Sequence, residues 1–163
     1  MITLSVFTTV AEQWKDVLYT LFISMVPVIE LRGAIPVGLG LGLPLWLAVS
    51  VSIIGNLIPI PFIIIFIKKI FAIMRKWDKL DGLVTRLEKR AESKSDTIKK
   101  YAFWGLFLFV AIPLPGTGGW TGALIAAMLD MPLKKAFPAI LLGVFGAALI
   151  VSTVSYGAFS IFS

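Results

Sequence analysis

Glu30 and Arg32 stand two residues apart in a long apolar stretch, and opposite charges in such surroundings are where chemistry could be done. A carboxylate held out of water can take up and release a proton, and a guanidinium beside it can tune that carboxylate or hold an anion. A permanent Glu30–Arg32 ion pair that only locks the local fold is the alternative use of the same two residues. Gly33 and Pro36 follow at once and restrict how a helix can continue there. A second stretch carries no charge but offers backbone: Pro113, Pro115, Gly116, Thr117, Gly118, Gly119, Trp120 and Thr121 break a helix and supply hydroxyls and close main-chain approach. Trp120 either lines such a break or packs beside it. Asn56, the one amide of its apolar run, either bonds between helices or meets a ligand. These thirteen residues are the candidate substrate- or ion-binding set.

The residue types that are missing narrow the chemistry further. With no cysteine and no histidine, thiolate nucleophiles, zinc sites, haem ligation by His and a Ser–His triad are excluded. No nucleophile–base pair remains, so an enzyme is not expected, and neither is a cofactor or a metal centre.

Positioning these residues requires elements that suit lipid. Of the 163 residues, 58% are hydrophobic and only 15% charged, against roughly 25% charged in a soluble domain. Residues 33–67, 101–129 and 136–163 contain no charged side chain, and each run exceeds the ~20 residues that span a bilayer core as a helix. A chain of this size cannot bury three such runs in a soluble core. The first eleven residues lack the basic start of a cleavable signal peptide, so insertion is expected to rest on the helices themselves.

Residues 68–100 hold 11 of the 15 Lys and Arg residues and five acids, a net +6 that equals the charge of the whole chain. Between apolar runs this marks a cytoplasmic loop rather than a nucleic-acid surface. Trp77, Leu80, Leu83, Val84, Leu87 and Ala91 follow a helical period there. The loop therefore reads as an amphipathic helix, lying on anionic headgroups or capping the bundle.

Residues 17–29 are apolar for 13 positions, too short to cross a ~30 Å core. The polar break at 30–33 and the glycine-rich stretch 34–43 make this a re-entrant hairpin, and 44–67 then forms a full span, kinked by Pro59 and Pro61. The plan recurs: a short helix at 101–112, the break at 113–119, a short helix at 120–129, and a long span from Pro132 interrupted by Pro138. Pro44-Leu45-Trp46-Leu47-Ala48 aligns with Pro132-Leu133-Lys134-Lys135-Ala136, and Gly55 and Gly143 each lie 11 residues after the proline. Asp130, Lys134 and Lys135, with Trp14, Trp46, Trp77 and Trp104, suit the membrane interfaces.

The expected fold is an all-α integral membrane domain, 1–163, of two inverted repeats. Each repeat is a re-entrant helical hairpin plus a transmembrane helix: repeat one over 12–67, the basic linker helix over 68–100, repeat two over 101–163. With 68–100 inside, the hairpins dip in from opposite sides, as in many secondary transporters. Four crossings without re-entry are the alternative. So short a chain is expected to work as a homo-oligomer, a dimer, in the cell (inner, plasma) membrane.

The segments Pro27-Val28-Ile29-Glu30-Leu31-Arg32-Gly33-Ala34-Ile35-Pro36 and Pro113-Leu114-Pro115-Gly116-Thr117-Gly118-Gly119-Trp120-Thr121-Gly122 resemble the bacterial and archaeal small multi-drug export proteins, over nearly the whole chain. More remotely, the two-hairpin plan is similar to the DedA family and its lipid-scramblase relatives, which implies lipid or lipid-carrier translocation driven by the proton-motive force. On that resemblance Glu30 matches an acidic position and Pro36 the proline after it. The paired arginines of the DedA second hairpin read here as Val110 and Gly116, and the second acid of the first hairpin is absent. The resemblances imply a small secondary transporter, proton-coupled or passive, that exports small amphipathic compounds or moves lipid-like substrates. Membrane lipids are its expected surroundings and nucleic acid is not a partner. A lipid-organising protein without a transport cycle is the alternative.

Overall fold

Apolar, proline-punctuated sequence of this kind folds as helices wherever each backbone N–H can be satisfied within its own segment. The computed structural model describes residues 2–74, 82, 84–86, 89 and 103–162, and among them there are helices and no strands. In chain order these are α1 (Ile2–Met25), α2 (Glu30–Gly40), α3 (Leu45–Leu57), α4 (Pro59–Met74), α5 (residues 103–111), α6 (Gly119–Met128) and α7 (Leu133–Phe162). Most of the linker 68–100 lies outside the described residues. Lys68 and Lys69 continue α4, and Gly82, Val84, Thr85, Arg86 and Lys89 are helical.

Two stretches are long and apolar enough to cross a membrane, Leu45–Ile67 and Leu133–Ala158. At 1.5 Å per residue their 23 and 26 residues reach about 34 and 39 Å, more than a ~30 Å hydrocarbon core. Only 33% of each apolar window is buried by protein. A soluble protein would present that uncovered apolar surface to water at great cost. Trp14, Leu18 and Phe22 of α1 add an exposed apolar stripe at four-residue spacing. This is a membrane protein.

Several boundaries differ from the sequence reading. The first helix extends back through Glu12, Lys15 and Asp16 to Ile2 instead of starting at residue 17, because charges at helix-compatible spacing do not stop a helix. The break after it is the apolar turn 26–29, and Glu30 and Arg32 open α2 rather than interrupt the chain. The glycines and Pro36 after them are helical to Gly40. The expected span 44–67 is interrupted only at Ile58, before Pro59. Pro138 sits in the second turn of α7, and the helix runs through it without the bond that a residue with an N–H would make to the Lys134 carbonyl.

The chain divides into two compact units, Met1–Asn56 with Ala148–Ser163, and Leu57–Ala147. In the first, α1 packs on α2. Gly38 of α2 lies against both Thr20 of α1 and Ala48 of α3: a Cβ there would come 3.2 Å from Thr20 Cγ2 and 3.0 Å from Ala48 Cβ. Gly55 of α3 lies so close to α1 that a Cβ would overlap Ser24 Oγ and stand 2.5 Å from the Leu21 carbonyl oxygen. In the second unit α4 packs on α6. Gly143 of α7 takes the place of Gly55: its Cβ would stand 2.6 Å from Val110 Cβ and 2.9 Å from the Phe107 carbonyl oxygen, again a carbonyl and the side chain three residues on.

The hydrogen bonds repeat with the same regularity. At the end of α2, Leu41, Gly42 and Leu43 donate to the carbonyls of Val37, Leu39 and Gly38. At the end of α6, Leu129, Asp130 and Met131 donate to those of Ile125, Ala127 and Ala126. Every partner is displaced by 88 residues (130 − 42). Both are the turn that ends a helix on a left-handed residue, with φ of 88° at Gly42 and 53° at Asp130. The Pro44 carbonyl then accepts the N–H groups of Leu47 and Ala48, and that of Pro132 those of Lys135 and Ala136.

Candidate functional site

The first group of candidate residues lies at the head of α2. Val26 N–H bonds the Ile23 carbonyl, Glu30 N–H that of Val26, and Gly33 N–H that of Ile29, so the chain reverses within the turn 26–29. A Cβ on Gly33 would collide with Ile29 Cγ2, so a larger residue there requires the Ile29 side chain to move. Val28 and Glu30 hold left-handed backbone, with φ of 78° and 50°. That conformation is costly for a β-branched residue and persists only where the surroundings impose it. Val28 is 92% exposed at the tip, while Glu30, two residues on, is only 3% exposed. Arg32 is half-buried, and the Glu30 carboxylate acts on its guanidinium electrostatically. Pro36 lies half-buried within α2.

Asn56 sits near the end of α3 in the same unit, fully buried, with Ser52 one turn before it. Neither amide atom of Asn56 and not the Ser52 hydroxyl finds a protein partner. The structure therefore adds Ser52, with the buried Thr20 and Ser24 of α1, to the polar residues that sequence reasoning selected. Their four-residue spacing inside apolar runs was the signal available for them.

The second group, Pro113, Pro115, Gly116, Thr117, Gly118, Gly119, Trp120 and Thr121, belongs to the other unit. Thr117 organises its turn. Its hydroxyl lies 2.7 Å from the Ile112 carbonyl oxygen and 2.9 Å from that of Leu114, and accepts the Leu114 N–H at 3.2 Å. That hydroxyl ties the turn together through its own backbone. Gly118, with φ of 123°, precedes α6, and Gly119, Trp120 and Thr121 form its first turn, one residue before the start expected at 120. Gly122 admits Val110: a Cβ there would stand 2.6 Å from Val110 Cγ2. Among the described residues, no group of three or more His, Cys, Asp or Glu side chains could hold a metal ion.

Residues 30–150 match the family model described as "Putative small multi-drug export protein". The match covers most of the chain, begins at Glu30 and takes in every candidate residue. The chain belongs to this family. No curated protein and no solved structure matches it. At the first residue of the family match, at the head of α2, Glu30 is a buried carboxylate. It is ionisable, excluded from water and held by strained backbone.

Proposed function

We propose that this chain is a small secondary transporter of the cell membrane that moves amphipathic compounds out of the cell, with Glu30 as its proton carrier. The observation that carries this reading is the burial of Glu30 at the start of an 11-residue helix. At about 16 Å, α2 covers only half of a ~30 Å core. A hairpin of α1 and α2 then enters the bilayer and returns, with the apolar turn 26–29 in lipid and Glu30 behind it. Intramembrane carboxylates mark proton relays and substrate pathways because their charged form is expensive unless it has work or a partner. Arg32 tunes Glu30 or holds the anionic part of a substrate.

The matching hydrogen-bond patterns of 37–48 and 125–136 support two repeats of one plan, and the charge of 68–100 supports a cytoplasmic position for the linker. Both support the reading of a multi-pass protein of inverted repeats. A second copy completes the pathway, lipids and the substrate are its other partners, and no catalytic step or resident cofactor is involved.

Purified protein in liposomes tests this. With a pH gradient, efflux of a small amphipathic cation such as ethidium is expected from wild type, and Glu30→Gln is expected to lower it at least ~10-fold and abolish its pH dependence. A parallel assay with a fluorescent lipid analogue separates drug-like from lipid-like cargo. Unchanged flux with unchanged pH dependence in Glu30→Gln removes the proton role. No movement of either cargo by wild type leaves a lipid-organising protein.

A further inference from the structure

The internal repeat makes a controlled comparison of buried positions possible. The repeat offset is 88 residues from α2 onward (130 − 42). For the helix before each break it is 86, since α1 ends at Met25 and α5 at residue 111 (111 − 25). Thr20, Ser24, Ser52 and Asn56 of the first unit therefore correspond to Leu106, Val110, Ile140 and Val144 of the second. All eight are buried. One framework is thus filled by four aliphatic side chains in one unit and by four polar ones in the other, so packing alone does not call for the polar set.

The four polar residues share one seam. Thr20 and Ala48 both touch Gly38, and Ser24 touches Gly55, which places Ser52, one turn after Ala48, at a level between the two hydroxyls of α1. Asn56, the neighbour of Gly55, lies at the level of Ser24. The Thr20 hydroxyl donates to the Asp16 carbonyl at 2.8 Å and that of Ser24 to the Leu21 carbonyl at 2.7 Å. A hydroxyl that has given its proton to its own helix presents only lone pairs to a neighbour. The α1 side of the seam is therefore an acceptor surface. On the α3 side, Ser52 Oγ and both amide atoms of Asn56 are 0% exposed and find no protein partner. Groups that served only to glue helices would bond one another across the interface. Left dry and unbonded, each would be a net loss.

We propose that this seam binds a small monovalent cation, Na+, through the Asn56 carbonyl and Ser52 hydroxyl oxygens, with the lone pairs of Ser24 and Thr20 beside them. Four neutral side-chain oxygens on packed helices, two of them with their protons already given away, outnumber the Asn56 amide and Ser52 hydroxyl donors and suit an alkali cation better than an anion. The close approach of α1 and α3 at Gly55 favours an ion of small radius. The inference does not rest on transport: an ion bound in detergent is detected whether or not Glu30 drives flux.

The test uses the full chain in detergent. Thermal unfolding in NaCl is compared with choline chloride and KCl at equal ionic strength, and equilibrium binding is measured with radioactive Na+. Wild type is expected to gain about 5 °C at saturating Na+, to gain less in K+, and to bind one Na+ per chain. Asn56→Val installs the residue its counterpart position already carries, and is expected to fold without the sodium shift. Ser52→Ala, a smaller change, is expected to weaken Na+ binding at least ~10-fold. Equal unfolding temperatures in NaCl and choline chloride, without bound Na+, overturn the proposal and leave a buried water as the occupant. A sodium shift that persists in Asn56→Val overturns it as well, and so does an equal gain in K+.

Discussion

Gly55→Ala adds a single methyl at the place where the structure is least able to receive one. The new Cβ would overlap Ser24 Oγ and approach the Leu21 carbonyl oxygen to 2.5 Å. A rotamer change can move the first obstacle, but the second is helix backbone and moves only if α1 and α3 separate. Overpacking of this kind costs about 1–3 kcal/mol, while alanine's better helix propensity returns about 1 kcal/mol. Gly157→Ala on α7 is the control, since a Cβ there meets nothing within 4 Å and only the propensity gain operates. The two variants should therefore differ by the clash alone, about 1–3 kcal/mol. In a chain of this size that is about 2–4 °C for each kcal/mol. Thermal unfolding in detergent, followed by far-ultraviolet circular dichroism, measures it. Ser24→Ala in the Gly55→Ala background is expected to restore part of the loss and not all, because the Leu21 carbonyl remains. Gly55→Ala melting together with Gly157→Ala would refute the close crossing and the seam geometry built on it.

Thr117→Val keeps shape and removes the hydroxyl that ties the turn 112–117 together, so it is expected to lower stability by about 1–2 kcal/mol, while Thr117→Ser retains the bonds and most of the stability; equal melting of the two variants would contradict the structural role. Because the chain has no cysteine, Val28→Cys gives a unique labelling site at the exposed tip of the α1–α2 turn. A spin label there is expected to be more accessible to oxygen than to a water-soluble nickel complex in bilayers, and the reverse order would place the tip in water and remove the re-entrant reading. Glu30→Gln is expected to remove the pH dependence of efflux, measured in liposomes as described above.

Much of the architecture was legible from residue types. The uncharged runs identify apolar helices, and Pro44 and Pro132 each precede a helix that carries a glycine, Gly55 or Gly143, 11 residues after the proline. The exact break was not legible. Glu30 and Arg32 look like an interruption in a hydropathy profile, yet they form the first turn of α2, since a helix can begin at charged residues once the preceding turn accepts left-handed backbone at Val28 and Glu30. The residue type of Thr117 shows a hydroxyl in the break, and only the folded turn shows that it lies at hydrogen-bond distance from the Ile112 and Leu114 carbonyls.

Hydropathy and punctuation are local properties, so they established on their own that the chain enters a membrane, where its long helices run and that a buried acid lies near residue 30. Which polar side chains end up facing one another is not local. Thr20, Ser24, Ser52 and Asn56 are ordinary residues of two separate helices, and they are buried together only because α1 and α3 meet at Gly55. Burial, and with it the cost of an unbonded amide, belongs to the pair of helices and to neither alone.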